Sequence, residues 1–311
     1  MMLVFRLFQN HASVGLTVSD YAIRMVLSRG NADLPAGFTY LEKPLERGIV
    51  ENGRVKDEQT FTDYLKDMVR ALKAKGKKTY FAIPTSQLIL RQFDFPGVKS
   101  DSELQNYFFI EMGNKIQLPF DKPVFDFHVI QREATGTNVL FIAAPEHVVL
   151  KYRKLQSNAG LNPVNAEFSA LGIDRWVQHF HPEIAEQQRM YVHLENESLY
   201  VSIFSGDIPM FVRQVNLETA ESDTFYLNAA TEIERMLNFY QYSVRKGTDE
   251  VAMIYLFGDH GHTALLQNAL QALVPQDVQS LAIDREKINY SETINETSIP
   301  AVGLAMKEGL K

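Results

Sequence analysis

The 311-residue chain is 45% hydrophobic and 22% charged, the composition of an ordinary globular protein with room for two domains. Its formal net charge of -7 argues against a nucleic-acid partner, because such proteins usually present a basic face. The absence of cysteine excludes disulfides, thiolate metal sites and cysteine nucleophiles. No apolar run approaches the ~18 residues of a membrane-spanning helix, so we expect a cytoplasmic protein without direct membrane insertion. The apolar residues 1–8 are interpreted as a first strand or tail.

A strand–turn–strand pattern occurs twice in the chain. Residues 14–30 read VGLTVSDYAIRMVLSRG, and residues 190–206, which begin 176 positions later, read MYVHLENESLYVSIFSG. Each copy alternates apolar and polar residues on both sides of a short polar turn, which is typical of a half-buried antiparallel hairpin. We therefore predict two similar lobes, residues 1–187 and 188–311, that each open with the same hairpin.

Between the two hairpins, Asp57 caps a predicted helix over residues 58–75. Four lysines follow at its end: Lys73, Lys75, Lys77 and Lys78. They are interpreted as complementing the helix dipole, with a nucleic-acid patch as the alternative. Strands are predicted over 78–84, 87–95, 125–131, 138–144 and 163–167, and helices over 100–116, 146–159 and 169–180. The order strand, helix, strand, strand predicts a small inserted subdomain at about 88–166.

The second lobe continues after its hairpin with a predicted strand over 210–215 and a helix over 223–242. A fully apolar strand over 251–257 then runs into the turn Gly258-Asp259-His260-Gly261-His262, which opens a helix over 263–273. A strand ending in a glycine turn that opens a helix is a common way for backbone N–H groups to meet a ligand. A last apolar helix is predicted over 299–310.

Short motifs along nearly the whole chain identify a family. They lie at 15–16 (GL), 49–53 (IVENG), 109–120 (FIEMGNKIQLPF), 126–127 (DF), 143–145 (AAP), 159–163 (AGLNP), 232–235 (EIER), 239–240 (FY) and 303–305 (GLA). In their order and spacing the chain resembles the PilM family, the actin-like proteins of type IV pilus assembly, which are related to FtsA. The resemblance implies an α/β, actin-like (ribonuclease H-like, duplicated) two-lobed fold with the inserted strand–helix–strand–strand subdomain.

The resemblance also implies a nucleotide site. In actin-like proteins the two hairpins hold the phosphates and the late glycine turn lies against the adenosine. Active PilM-like members carry Asp at the third and Gly at the fifth position of each hairpin motif, where this sequence has Thr17 and Ser19, then His193 and Glu195. The implied site, at Thr17, Ser19, Asp20, His193, Glu195, Asn196, Gly258, Asp259 and Gly261, is therefore degenerate. A carboxylate ~4 Å from a phosphate costs up to about 4 kcal/mol per unit charge at a dielectric near 20. We expect no catalysis and no cofactor. If the nucleotide site is functional instead, ATP and Mg²⁺ are the expected cofactors.

The implied partner is PilN, a membrane-anchored protein whose N-terminal cytoplasmic peptide lies in a groove beside the inserted subdomain. The predicted groove residues are Leu90, Gln92, Tyr107 and Phe108; the alternative for the two aromatic residues is the core of the inserted subdomain, which is the preferred interpretation for Phe108. We expect a scaffold of a type IV pilus or DNA-uptake machine, peripheral to the inner face of the plasma membrane through its PilN-like partner, and in contact with other inner-membrane and motor components. The alternatives are a nucleotide-switched ATPase of the same machine and an FtsA-like filament former, which lacks support because no basic amphipathic tail follows Gly309.

Overall fold

The computed structural model describes residues 12–29, 37–217, 224–244, 250–258, 260–283 and 294–308. The elements of the first half are β1 Ser13–Val18, β2 Ala22–Ser28, β3 Phe38–Pro44, β4 Val50–Glu51, β5 Arg54–Val55, α1 Glu58–Leu72, β6 Lys78–Ile83, β7 Ile89–Pro96, α2 Asp101–Glu111, β8 Pro123–Glu133, β9 Gly136–Pro145, α3 Glu146–Asn158, β10 Asn162–Phe168, α4 Ser169–Phe180 and α5 Pro182–Ala185. Those of the second half are β11 Arg189–Glu195, β12 Ser198–Ser205, β13 Ile208–Asn216, α6 Phe225–Asn238, β14 Met253–Gly258, α7 His260–Gln271, β15 Asp277–Ser280 and α8 Ile299–Ala305.

The two lobes share one sheet topology. The first sheet has the strand order β10-β6-β1-β2-β3 and the second the order β15-β14-β11-β12-β13. In both, an antiparallel hairpin forms the centre and parallel strands extend it on one side. The hairpin registers also correspond, since Leu16 pairs with Met25 and Val192 pairs with Val201, each 176 positions later. The duplication read from the sequence is therefore present in the fold, and the predicted actin-like architecture is confirmed.

The inserted subdomain is a three-stranded antiparallel sheet, β7-β9-β8, with α2 on one face. Its interior is aromatic: Phe108 is fully buried among the rings of Phe93, Phe125 and Phe141. The strand after it, β10, pairs in parallel with β6 and so lies in the sheet of the first lobe. The three-stranded sheet therefore ends at Pro145, whereas the subdomain was predicted to extend to about residue 166.

Several helix ends differ from the sequence prediction, and α1, predicted to reach residue 75, ends at Leu72, where Lys73 adopts a left-handed conformation. The helix predicted to reach residue 116 ends at Glu111, because Met112 turns to an extended conformation and Gly113 adopts a left-handed one. The helix predicted to reach 242 ends at Asn238 and continues as a π-helical turn over Phe239–Val244. The last helix ends at Ala305 and tightens over Met306–Glu308.

Helices α4 and α8 lie between the two sheets and join the lobes. Their backbones touch: a Cβ on Gly303 would lie 1.7 Å from the carbonyl oxygen of Gly172. Around this crossing, buried side chains from both sheets and both helices form one inter-lobe cluster, which includes Val26, Trp176 and Phe257. Packing at backbone distance requires glycine at both positions, so the small residues of α8 are part of what holds the lobes together.

Candidate functional site

The turns of the two hairpins face each other across the cleft between the lobes. Ser19 lies at the end of β1, and Glu195 lies at the end of β11. The Ser19 hydroxyl donates to Glu195 Oε1 at 2.7 Å, so two residues at equivalent positions of the duplication meet directly. In the family pattern these are the two glycine positions, at which the backbone approaches a phosphate. At the second of these positions this chain has a carboxylate, which is bonded to the opposite lobe.

Arg24 completes this inter-lobe bridge. It lies on β2 opposite Thr17, and its guanidinium Nη1 donates to Glu195 Oε1 at 2.6 Å. Its Nε donates to Glu42 Oε2 on β3 at 2.9 Å. Arg24 is 5% exposed and Glu195 2% exposed, so the pair is withdrawn from water. A buried arginine thus holds one carboxylate from each lobe, and we name Ser19, Arg24, Glu42 and Glu195 the cleft bridge.

The ionisation of the cleft bridge follows from its burial and its pairing. Burial disfavours a charged Arg24, but the carboxylates of Glu195 and Glu42 outweigh it and raise the pKa of the guanidinium. Burial likewise acts to raise the pKa of Glu42, but Arg24 and the hydroxyl of Tyr40 outweigh it, so the net pKa is lowered. Arg24 and Glu42 are therefore charged at neutral pH.

Arg24 was not among the predicted site residues. The signal was present in the sequence, because strand β2 reads AIRMVLS and places one arginine inside an otherwise apolar stretch. A fully buried strand tolerates a charge only where it is paired. The partner in the other lobe, 171 residues away, could not be identified from one sequence.

The remaining predicted phosphate-site residues have structural roles of their own. Asp20 lines the cleft and accepts hydrogen bonds there from the backbone N–H groups of Asn52 and Gly53 at 2.7 and 2.8 Å. The ring of His193 is stacked on Phe257, with centroids 4.7 Å apart and planes at 5°. Asn196 is the left-handed residue of the β11–β12 turn, with a φ of 48°. Thr17, the residue paired with Arg24, is 7% exposed.

The predicted adenosine-side turn follows β14. Gly258 ends this strand with a φ of 130°, and a Cβ there would lie 1.9 Å from the carbonyl oxygen of Leu194. Close approach to β11 is therefore sufficient to require glycine at this position. Gly261 lies in the first turn of α7, and Asp259 lies outside the described residues.

Little space is left in the cleft. The cavity between the hairpins measures about 40 Å³, and its lining includes Thr17, Ser19, Arg24, His193, Glu195 and Tyr200. One ordered water needs about 10–15 Å³ on this scale, so the cavity holds a few water molecules. Within the described part of the chain, no three potential metal ligands come together.

The four predicted groove residues lie on two different faces of the inserted sheet. Phe108, a residue of α2, is fully buried between this helix and the sheet, and Tyr107 packs beside it. Leu90 and Gln92 alternate along β7 with Phe93, which faces α2, so they lie on the opposite face. There Gln92 Nε2 donates to the carbonyl oxygen of Met210 in the second lobe at 3.5 Å. The structure therefore does not bring these four side chains into one groove.

Comparison with known proteins gives one family and one fold. The family model described as "Type IV pilus assembly protein PilM" matches residues 15–219, about two thirds of the chain. The structure is similar to a solved "PilM-PilN type IV pilus biogenesis complex", with a TM-score of 0.77 and 18% identity over 96% of this chain and 98% of that one. It is also similar to the ethanolamine utilization protein EutJ of Carboxydothermus hydrogenoformans, with a TM-score of 0.54 and 11% identity over 95% and 89% of the two chains. A third match is the cytoplasmic domain of EpsL, from the type II secretion system of Vibrio cholerae, with a TM-score of 0.50 and 10% identity over 96% and 94%.

A search of curated proteins gives no match. Among the helices of the described residues, none combines the length and the apolar character that crossing a membrane requires.

Proposed function

Because the chain belongs to the PilM family of type IV pilus assembly proteins, we propose that it is a non-catalytic scaffold that binds the N-terminal cytoplasmic peptide of a PilN-like inner-membrane protein. The likeness to the PilM–PilN complex over nearly the full length of both chains supports a partner of this kind. The proposal that this scaffold is non-catalytic rests on one observation, the cleft bridge, in which Arg24 and Glu195 occupy the space between the hairpins. The scaffold is peripheral to the cytoplasmic face of the membrane through this peptide.

The cleft bridge opposes nucleotide binding in two ways. A triphosphate would lie against the cleft bridge, whose two carboxylates exceed the single cation Arg24 by one charge, and one uncompensated negative charge at ~4 Å costs up to about 4 kcal/mol per phosphate charge at a dielectric near 20. Such a cost corresponds to nearly a thousandfold in affinity. A nucleotide would also have to part the lobes, because the cavity of about 40 Å³ cannot contain it. The bond between Arg24 and Glu195 resists that opening.

The experiment is a calorimetric titration of the purified chain with the N-terminal cytoplasmic peptide of a PilN-like protein from the same organism. We expect a saturable complex with the same dissociation constant in the presence and absence of ATP and Mg²⁺. Absence of binding at high micromolar peptide would contradict the scaffold. Binding that requires ATP and Mg²⁺ would instead support the nucleotide-switched ATPase of the same machine.

Two variants locate the peptide on the inserted subdomain. Leu90→Ala changes the face of the sheet that is directed toward the second lobe, and Tyr107→Ala changes the half-exposed edge of the α2 face. If the peptide binds to one face of the sheet, one of these variants weakens its binding and the other leaves the binding unchanged. Equal binding by both variants would contradict a site on these residues and leave the binding itself intact.

A further inference from the structure

The turn Asn52–Gly53 lies between the cleft and the inserted subdomain. It joins β4 to β5, and its two residues have φ angles of 48° and 69°, as a tight two-residue hairpin turn requires. Gly53 lines the cleft cavity together with Asp20 and Pro84. Pro84 leads into a 3₁₀ turn, Thr85–Gln87, and then into β7. The chain therefore enters the inserted subdomain at the wall of the cleft.

The four backbone polar groups of this turn are all hydrogen-bonded to side chains of other elements. The two N–H groups donate to Asp20, between β1 and β2. The carbonyl oxygen of Asn52 accepts from Nε2 of Gln87 at 2.6 Å, and that of Gly53 accepts from the hydroxyl of Tyr152 on α3 at 3.1 Å. We name these five residues the root clamp. Because Gln87 precedes β7 and α3 follows β9, the root clamp holds both chain connections of the inserted subdomain.

The root clamp is buried and closely packed. Gln87 is 7% exposed and Tyr152 1% exposed, and Oε1 of Gln87 accepts a further hydrogen bond from Nε of Arg54 at 3.2 Å. A Cβ on Gly53 would lie 2.4 Å from the Cβ of Pro84, so the turn and the start of the inserted subdomain meet at backbone distance. Breaking one of these bonds leaves a buried polar group unsatisfied. The inserted subdomain is therefore firmly fixed to the first lobe.

The contacts of the inserted subdomain with the second lobe are weaker. The bond from Nε2 of Gln92 to the carbonyl oxygen of Met210 is 3.5 Å long, beyond the usual range of about 2.7–3.2 Å and longer than each bond of the root clamp. Ile130, on β8, is half-buried and packs against the core of the second lobe. The inserted subdomain thus has strong bonds to one lobe and a long bond with an apolar contact to the other.

The lobes also meet at two kinds of contact. The cleft bridge joins them at the hairpin turns, and the inter-lobe cluster joins them around α4 and α8. Releasing the cleft bridge leaves the contact at α4 and α8, about which the lobes can turn. We propose that the inserted subdomain then moves with the first lobe, so that release of the cleft bridge opens the gap between the inserted sheet and the second lobe. The cleft bridge is a latch that keeps the Gln92 face of this sheet against the second lobe, whichever partner the protein binds.

Distances between nitroxide labels in the full chain, measured by double electron–electron resonance, test the proposal. The chain contains no cysteine, so labels can be attached at two introduced cysteines at a time. Ala71→Cys in α1 marks the first lobe, Gln105→Cys in α2 marks the inserted subdomain and Asn228→Cys in α6 marks the second lobe; all three positions are exposed. With the cleft bridge and the root clamp intact, we expect one narrow distance distribution for each pair of labels.

Glu195→Ala removes the two hydrogen bonds of the cleft bridge that cross between the lobes and leaves Arg24 paired with Glu42. We expect longer and broader distances from the second lobe to both other labels, with an unchanged distance between the first lobe and the inserted subdomain. Asp63→Ala is the matched control, because it also removes a carboxylate that accepts two hydrogen bonds, but on the outer side of α1. The control should change none of the three distances.

Gln87→Leu and Asp20→Ala break the root clamp from two different sides. Each should broaden the distance between the first lobe and the inserted subdomain and leave the distance between the lobes unchanged. The proposal is overturned if Glu195→Ala leaves the distance from the inserted subdomain to the second lobe as it was. It is equally overturned if the clamp variants melt cooperatively and keep the narrow distance between the first lobe and the inserted subdomain.

Discussion

Replacing Arg24 by Met removes a cation that holds a carboxylate from each lobe. The Arg24–Glu195 contact measures 2.6 Å, which corresponds to an attraction of about 6 kcal/mol at a dielectric near 20. Withdrawing the two charges from water costs several kcal/mol for each ion, so the intact pair contributes little net stability. Arg24→Met alone has a larger effect, because it leaves the Glu195 carboxylate buried, at 2% exposure, without its cation. Within the cleft bridge, the Ser19 hydroxyl is then the remaining hydrogen-bond donor to this carboxylate. We expect Arg24→Met to lower the free energy of unfolding by about 3–5 kcal/mol.

The assay is urea unfolding followed by the fluorescence of Trp176, the only tryptophan of the chain and a fully buried member of the inter-lobe cluster. The double variant Arg24→Met with Glu195→Leu removes both charges and should recover most of the loss, with a coupling energy of about 2–3 kcal/mol in the double-mutant cycle. Arg235→Met is the control, because it breaks an exposed pair with Glu232 and should cost less than about 1 kcal/mol.

Two results would refute this reasoning. A loss below about 1 kcal/mol for Arg24→Met would mean that the stranded carboxylate is reached by water. Additive losses in the double variant would mean that Arg24 and Glu195 do not stabilise each other across the cleft.

Three further predictions concern other parts of the fold. Phe108→Ala should destabilise the inserted subdomain by about 3–5 kcal/mol in urea unfolding, whereas Phe109→Ala, at a residue that is 74% exposed, should change the free energy of unfolding by less than about 0.5 kcal/mol. Similar losses in the two variants would contradict the assignment of Phe108 to the core. Gly303→Ala should lower the melting temperature strongly, because its Cβ would meet the Gly172 carbonyl oxygen at 1.7 Å and no side chain can move to relieve the contact; an unchanged midpoint would refute the close crossing. The pKa of Glu42 in the folded protein is below its ordinary value of 4.5, so the stability that Glu42 contributes is present above that value and is lost as pH falls through the folded pKa. Glu42→Gln should flatten this part of the acid unfolding curve, and an unaltered curve would contradict the pairing of Glu42 with Arg24.

The sequence was sufficient for the architecture because the duplication is carried by local patterns. Each hairpin alternates around a short turn, and the common register of β1 with β2 and of β11 with β12 follows from that alternation. The ends of the helices could be predicted less well from the sequence. A helix over 100–116 was predicted from the spacing of its apolar residues. Apolar residues continue beyond Gly113, but the left-handed backbone of this glycine stops the helix before them.

The candidate site shows where a single sequence is insufficient. The loss of the acids and glycines at Thr17, Ser19, His193 and Glu195 could be read directly, and it predicted repulsion between Glu195 and a phosphate. The sequence could not indicate that Glu195 is satisfied by Arg24, since that pairing depends on how two lobes close. The four predicted groove residues do not form one surface, because Leu90 and Gln92 lie on the face of β7 opposite to the one that α2 covers.

A thermal-shift titration with ATP and Mg²⁺ examines the bridged cleft in the unmodified protein. A ligand that binds only the folded chain must raise its stability, by about 2.7 kcal/mol at a concentration of 100 times the dissociation constant. With the cleft bridge intact, we predict a melting temperature that does not change across the nucleotide series. A melting temperature of the unmodified protein that rises steadily with ATP and Mg²⁺ would show that the cleft admits a nucleotide and that the bridge does not close it.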